Sequence, residues 1–316
     1  MKIRLSLILI VIAGLCSQIL NAGQLGSFDS NIFFNVENIT ISCYVTQDYV
    51  EDVPANLVIG LHGAGDNSAN YRNALIQYLL WNEILPNTVM IFPDAGDDQS
   101  RDFYAPEGDE LIIDSVIAWA KQNYNIDESK IILQGFSLGG RSALKYGLDN
   151  KELFAGLVLH TPAMQSPYDV QNTPDFSLIF DYAACGNMPI SIVHGTEDYG
   201  FLKTVALLAD SLVAHNAKLM YLLMPGLTHS VPPNSVSEGL FKFITEPIDK
   251  AVSILHKLSS PAIVDENKIK LTCIARNIGN TAITSMSFQY ELNGEIQTFD
   301  WTGNLTNENN VDVELE

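Results

Sequence analysis

Six short stretches of this chain are apolar along almost their whole length: "NLVIGL" (56–61), "TVMIFP" (88–93), "KIILQGF" (130–136), "FAGLVLH" (154–160), "PISIVHG" (189–195) and "KLMYLLM" (218–224). Each is bounded by turn residues and is too short for a core helix. Between several of them lie segments of helical period, such as "GDELIIDSVIAWAKQNY", where Ile112, Ile113, Val116, Ile117 and Ala120 fall on one face. Asp109 and Glu110 stand at its start, where acids complement the helix dipole. A strand apolar on both sides must be covered on both sides, and strands separated by helices are joined by crossovers. The chain is therefore restricted to an α/β fold, a mostly parallel sheet with helices on both faces. Such sheets collect ligands beyond the carboxyl ends of their strands, so the residues that follow each strand carry the functional information.

The two ends of the chain follow different rules. Lys2 and Arg4 precede the apolar run "LSLILIVIAGL" and a small-residue stretch ending at Ala22. This is the pattern of a secretory signal peptide over residues 1–22, with cleavage after Ala22 and no membrane span left in the mature chain. "IFFNVEN" and "ITISCYV" read as an antiparallel edge pair. A final helix is expected over "SVSEGLFKFITEPIDKAVSILHKL" (235–258), bent near Pro247. The α/β domain then spans residues 23–258. Beyond "SSPAIVDEN" helical patterns stop. "IKLTCIARN" alternates, and "MSFQYELNGEIQTFDW" alternates on both sides of Asn293-Gly294, a hairpin signal. Residues 262–316 form a small β-sandwich (Ig-like) module. "VDVELE" closes the sequence inside a strand pattern, which suggests that the natural chain continues.

Composition removes several function classes. A formal net charge of −20 opposes nucleic acid and anionic membrane surfaces. With 47% apolar and 17% charged residues the chain is globular. Of its four cysteines, Cys16 leaves with the signal; Cys43, Cys185 and Cys273 remain as buried apolar residues, with one disulfide as the alternative. There is no CxxC and the cysteine spacing matches no metal site; the chemistry to which the remaining motifs point needs no metal or organic cofactor.

One post-strand turn stands out. "GFSLG" (135–139) is G-x-S-x-G between a strand and a helix, the context of a nucleophile elbow. There Ser137 is forced into a strained conformation, and Gly135 and Gly139 avoid the clash a Cβ would cause. The N–H of Leu138 points with the serine at the helix N-terminus. A serine hydroxyl needs a base, and the base needs a carboxylate, in the chain order Ser, Asp, His. Of the six histidines, His62, His160 and His194 lie near strand ends, and His215 and His256 fall in helical patterns. His229, in the loop "PGLTHSVP", is downstream of a candidate acid and at the active edge, and is the expected base. The acid comes from "HGTED": Asp198, with Glu197 as the other candidate. The second oxyanion donor comes from "LHGAGDN", with the N–H of Ala64 as the choice and His62 as a structural residue.

With "LHGAGD", "GFSLGG", "HGTED" and "GLTH" in this order, the chain resembles the α/β-hydrolases over about residues 30–257. It is similar to the phospholipase/carboxylesterase group, which includes acyl-protein thioesterases, and to secreted esterases related to feruloyl esterases and polyhydroxybutyrate depolymerases. The resemblance implies Ser137 as nucleophile, Asp198 as acid, His229 as base and the Ala64 and Leu138 N–H groups as oxyanion hole. It departs at Leu138, where thioesterase-like members often carry Gln, and at "YGFLKT", which lacks the usual Val-Pro. The C-terminal module resembles β-sandwich modules of secreted bacterial enzymes. The expected function is a secreted or periplasmic serine esterase acting on a small or polymer-linked ester. The alternatives are a thioesterase or serine peptidase with the same triad, or a non-catalytic binding protein on the same scaffold. Met164, Phe176, Phe180, Tyr182, Phe103 and Tyr104 are candidates for the pocket lining, with ordinary loop packing as the alternative. A spacer role is expected for the module; binding of a polysaccharide by Trp301, Phe299 and Tyr290 is the alternative, although alternation places some of these in the core. Arg141 is expected in a surface salt bridge or as an anchor for an acidic substrate. Asn38 and Asn304 match the glycosylation pattern, which matters only in a eukaryotic secretory pathway.

Overall fold

The computed structural model describes residues 23–34, 37–95, 111–164, 181–246, 249, 252–256, 263–265, 268–292, 295–307 and 309–315. The signal segment lies outside them, as do Phe103, Tyr104, Asp109, Glu110, Phe176, Phe180, Pro247 and the Asn293-Gly294 turn.

Strands β1 (Gly26–Phe34) and β2 (Glu37–Val45) are the antiparallel pair expected at the edge. β3 (Ala55–Leu61), β4 (Thr88–Pro93), β5 (Ile126–Phe136), β6 (Gly156–His160), β7 (Pro189–Gly195) and β8 (Lys218–Met224) complete an eight-stranded sheet in the order β1-β2-β4-β3-β5-β6-β7-β8. β2 meets β4 antiparallel, and every pairing from β4 to β8 is parallel. This is the α/β-hydrolase fold. The helices are α1 (Ser68–Asn73), α2 (Trp81–Ile84), α3 (Ile112–Asn123), α4 (Leu138–Asp149), α5 (Leu202–Ala214) and α6 (Asn234–Thr245). Among the described residues no helix is long and apolar enough to cross a membrane.

The continuous apolar runs are explained by two cores, one on each face. Ile59, Leu133, Leu159 and Ile192 pack with Val116 of α3, Leu144 of α4 and Leu208 of α5. Their neighbours Val58, Ile132, Val158 and Val193 pack on the other face with Tyr71, Trp81, Leu240 and Phe241. Successive strand residues point to opposite faces, so both sets must be apolar.

Two segments differ from the expected elements. The helix read through "SANYRNALIQYLLW" ends at Asn73, widens into a π turn over Ala74–Tyr78, and reverses at Leu80 with φ +52° before α2. The widened turn re-aims Trp81, which is fully buried edge-on against Phe241 (4.9 Å) and His160 (5.6 Å). Burial of a large aromatic surface offsets the strain at Leu80.

The last helix is shorter than expected. It stops at Thr245, and Val252–His256 forms strand β9 instead. "VSILH" satisfies both periods, and its partner decides: β9 pairs antiparallel with β11 (Lys268–Asn277). β10 (Ile263–Asp265) also pairs with β11, and β14 (Asn310–Leu315) pairs with it as well. β12 (Ile283–Leu292) and β13 (Glu295–Leu305) form the expected hairpin.

Strand β11 has two working faces. Cys273 and Ala275 join Phe288 and Val313 in the small core of this part. Ile274, between them, packs against the large core of the α/β part. Arg276, on that same side, is 1% exposed and its Nη1 donates to the carbonyl of Ala217 just ahead of β8. Arg276→Met keeps the volume and strands that carbonyl, which costs about 1–3 kcal/mol. A fall in Tm of several degrees is expected, measured by calorimetry; an unchanged Tm would show the contact to be energetically idle.

Candidate active site

The turn from β5 into α4 sets the serine. Ser137 has φ +56° and ψ −121°, a strained conformation for a residue with a side chain. The surroundings dictate it. Its N–H donates to the carbonyl of His160 (3.2 Å), and its carbonyl accepts from Arg141 N–H (3.2 Å) and Ala163 N–H (2.9 Å). The glycines beside it are required by close approach: a Cβ on Gly135 would sit 2.2 Å from the Gly139 carbonyl oxygen, and one on Gly139 would sit 2.3 Å from that of Leu61. The backbone of β3 and the first turn of α4 thus touch directly.

The structure brings Ser137, His229 and Asp198 into one chain of hydrogen bonds. With its proton on Nδ1, His229 donates to Asp198 Oδ2 (2.7 Å), leaving Nε2 to accept from the Ser137 hydroxyl (2.7 Å). The imidazole lies between the rings of Phe136 (5.2 Å) and Phe201 (5.0 Å). Asp198 is buried and His229 half-buried. Sequence reading missed both flanking phenylalanines; their positions, one residue before the serine and three after the acid, were the available signal.

The loops that carry acid and base are stitched together. Thr196 N–H donates to Met224 O (3.0 Å), Glu197 N–H to Leu227 O (3.1 Å), and Gly226 N–H to Thr196 Oγ1 (2.9 Å). Glu197, the other candidate acid, is exposed, and it is Asp198 that meets His229. Gly195 lets the loops meet, since a Cβ there would lie 1.9 Å from Leu227 O. Gly195→Ala is expected to push the His229 loop away and cost about 10²-fold in turnover through misplacement of the base. A steady-state assay on folded variant checks this; full activity would mean that the loops yield without moving His229.

The two expected oxyanion donors flank the serine. Leu138 opens α4, and the Gly63–Asp66 turn that carries Ala64 lies against Ser137, with a Cβ on Gly63 coming within 3.1 Å of the serine Cβ. Neither Ala64 N–H nor Leu138 N–H donates to a backbone carbonyl among the described residues. His62 is buried, and its Nδ1–H donates to Gly63 O (2.8 Å), the structural role expected of it.

The remaining candidates fall elsewhere. His160 is buried, takes a hydrogen bond from Gln134, and burial pushes its pKa down to about 3, so it stays neutral. His215 caps α5, and His256 lies on β9 rather than in a helix. Ser191 is fully buried in β7 with its hydroxyl donating to Leu157 O (3.3 Å), which leaves it no access to a substrate. Arg141 is buried rather than on the surface as expected, because its helix packs into the sheet. Met164 is fully buried, and Tyr182 is partly buried against the core. Cys43, Cys185 and Cys273 are free buried thiols, so no disulfide joins them; burial raises the pKa of each. Among the described residues no group of three or more His, Cys, Asp or Glu is placed to hold a metal ion.

Comparison with known proteins agrees with the fold. The family model of the serine aminopeptidases, S33, matches residues 52–184, a span that includes Ser137 and ends before Asp198 and His229. No curated protein sequence matches the chain. Among solved structures, a ferulic acid esterase aligns with a TM-score of 0.57 at 14% identity, covering 71% of this chain and 98% of its own. A CE1 ferulic acid esterase from the anaerobic fungus Anaeromyces mucronatus aligns at 0.55 and 18% identity, covering 73% and 95%. An S-formylglutathione hydrolase from Agrobacterium tumefaciens aligns at 0.53 and 16%, covering 69% and 93%. At these identities the likeness is one of fold. The fold and the Ser-His-Asp arrangement together are those of a serine hydrolase.

Proposed function

Starting from a serine hydrolase, we propose a secreted esterase that cleaves carboxylic esters through an acyl-enzyme on Ser137. The observation that carries this reading is the unbroken hydrogen-bonded chain from Asp198 through His229 to a strained serine at a helix N-terminus.

In the proposed reaction Ser137 Oγ attacks the ester carbonyl while His229 Nε2 takes its proton. Asp198 holds the Nδ1–H tautomer and stabilises the imidazolium. The N–H groups of Ala64 and Leu138 receive the negative charge that develops on the carbonyl oxygen. Collapse of the tetrahedral adduct breaks the ester C–O bond, and His229 returns its proton to the departing alkoxide. Water then enters by the same route, His229 again accepting the proton, and the carboxylic acid leaves with Ser137 restored. The chain's own residues supply every group in this scheme. Small-molecule and polymer-linked esters both suit it, and the net charge of −20 argues against nucleic-acid substrates.

The test uses the chain from Gly23 onward. A fluorophosphonate should modify Ser137 stoichiometrically, located by peptide mass spectrometry, and p-nitrophenyl acetate, butyrate and octanoate should be hydrolysed with a preference that describes the acyl pocket. Label on a different residue, or folded protein that neither labels nor turns over any ester, overturns the reading. Because the family model that matches residues 52–184 is one of aminopeptidases, aminoacyl p-nitroanilides belong in the same panel. Faster cleavage of these than of the esters would replace the esterase reading by a peptidase one.

A further inference from the structure

A second histidine reaches the acid. His194, the penultimate residue of β7, is fully buried and places Nε2 3.3 Å from Asp198 Oδ2, the oxygen that also accepts from His229 Nδ1. Neither of its ring nitrogens completes a well-aligned hydrogen bond, and its polar interactions run to Asp198, through both carboxylate and backbone. An imidazole with no polar partner is costly to bury, by about 1–3 kcal/mol on mutational scales. A leucine at the end of this strand would carry no such cost. Its neighbours on the same face, Ile190 and Ile192, belong to the core with Val205 and Leu208 of α5. Into that apolar surface Asp198 brings a carboxylate oxygen and its backbone within reach of the ring.

From this placement we infer that His194 is a positioning residue: its neutral ring, protonated on Nε2, presents N–H to the Asp198 carboxylate and thereby tunes the basicity of His229. The inference rests on the proposed roles of Ser137, Asp198 and His229. A carboxylate oxygen that faces two N–H groups is held in place and shares its negative charge between them. Each added donor makes Asp198 a weaker acceptor for the His229 imidazolium. His229 then gives up its proton at a lower pH and remains able to accept from Ser137 over a wider acidic range.

The electrostatics agree with a neutral His194. Burial lowers its pKa and outweighs the opposing pull of Asp198, while the nearby His229 lowers it further. Among the described residues, Asp198 on the loop after β7 and His229 on the loop after β8 are the charged or titratable groups that act on it. A cationic His194 would stand beside the imidazolium that catalysis creates; a neutral donor avoids that repulsion.

The sign follows. His229 is competent when neutral, so the acid limb of kcat/KM marks its deprotonation. Removing the donor strengthens the His229–Asp198 pair and raises the pH of that limb. In His194→Val, a β-branched replacement suited to a strand, the limb and the His229 titration seen by NMR both move up by about 0.5–1 pH unit. His194→Gln, which restores a neutral N–H, brings both back toward the parent values. In the unmodified protein, ¹⁵N shifts should find His194 neutral with its proton on Nε2 throughout the His229 titration, a measurement that needs no variant to fold. An unmoved or lowered limb in folded His194→Val, equal shifts in the Val and Gln variants, or an Nδ1-protonated or cationic His194 each overturns the inference. The NMR titration does not depend on turnover, so these outcomes stand apart from failure of the esterase reading, which Ser137 labelling decides.

Discussion

Alanine at position 137 lowers kcat/KM for the preferred ester by about 10⁴-fold or more, while the circular dichroism and Tm stay close to those of the parent chain. The size of the loss follows from what the hydroxyl does. It is the sole heavy atom deleted, and Ser191, on a nearby strand, is sealed in the sheet. Stability changes little because the Ser137 hydroxyl bonds to a half-exposed imidazole, and the backbone strain at φ +56° is maintained by an N–H bond to the His160 carbonyl and by bonds from Arg141 and Ala163 N–H, all of which alanine also makes. His229→Ala gives a loss of similar size, and the double variant is little worse than either single one, because residues that act as a unit lose their effect together. Turnover in folded Ser137→Ala within tenfold of the parent would remove the serine mechanism.

Asp198→Asn is expected to cost about 10⁴-fold as well, with the geometry preserved. The acid accepts from His229 Nδ1–H at 2.7 Å. If the amide NH₂ faces the imidazole, Nδ1 must become the acceptor, the ring proton moves to Nε2, and the base then points a proton at the serine it should deprotonate. Glu197→Gln supplies the control. That side chain is exposed beside the acid, and its replacement is expected to leave kcat within about twofold, as for most surface changes. A reversal, with Glu197→Gln inactive and Asp198→Asn active, would reassign the acid.

The sequence made the polar chain readable because each member follows a strand. A parallel sheet aligns strand ends along one edge, so "GFSLG", "HGTED" and "GLTH" could be placed together without knowing any distance. His194 could not be assigned in that way. It also stands at a strand end, but its relation to Asp198 depends on the loop folding back on itself. The same limit applies to Phe136 and Phe201, whose contact with His229 is made across three separate turns. Local pattern also failed where one segment satisfied two periods. "VSILH" continued the helical reading of α6, and only the antiparallel partner β11 makes it a strand. The π turn ahead of Trp81 is likewise a tertiary effect, set by the place that indole takes between His160 and Phe241. The pocket readings on Phe103, Tyr104, Phe176 and Phe180 fall outside the described residues.

The two-faced strand β11 has a consequence for anyone who would recut or recombine this chain. Odd-numbered Cys273 and Ala275 belong to one core, even-numbered Ile274 and Arg276 to the other, so a single strand is shared property along its length. Such a join behaves as a seam and not as a tether. A splice ahead of residue 252 would leave the hydrolase part with a bare apolar strip and an orphaned carbonyl at Ala217, and grafting a different module in its place would require a donor strand that reproduces both rows. Pulling on the C-terminus would load the start of β8, where Arg276 holds the Ala217 carbonyl.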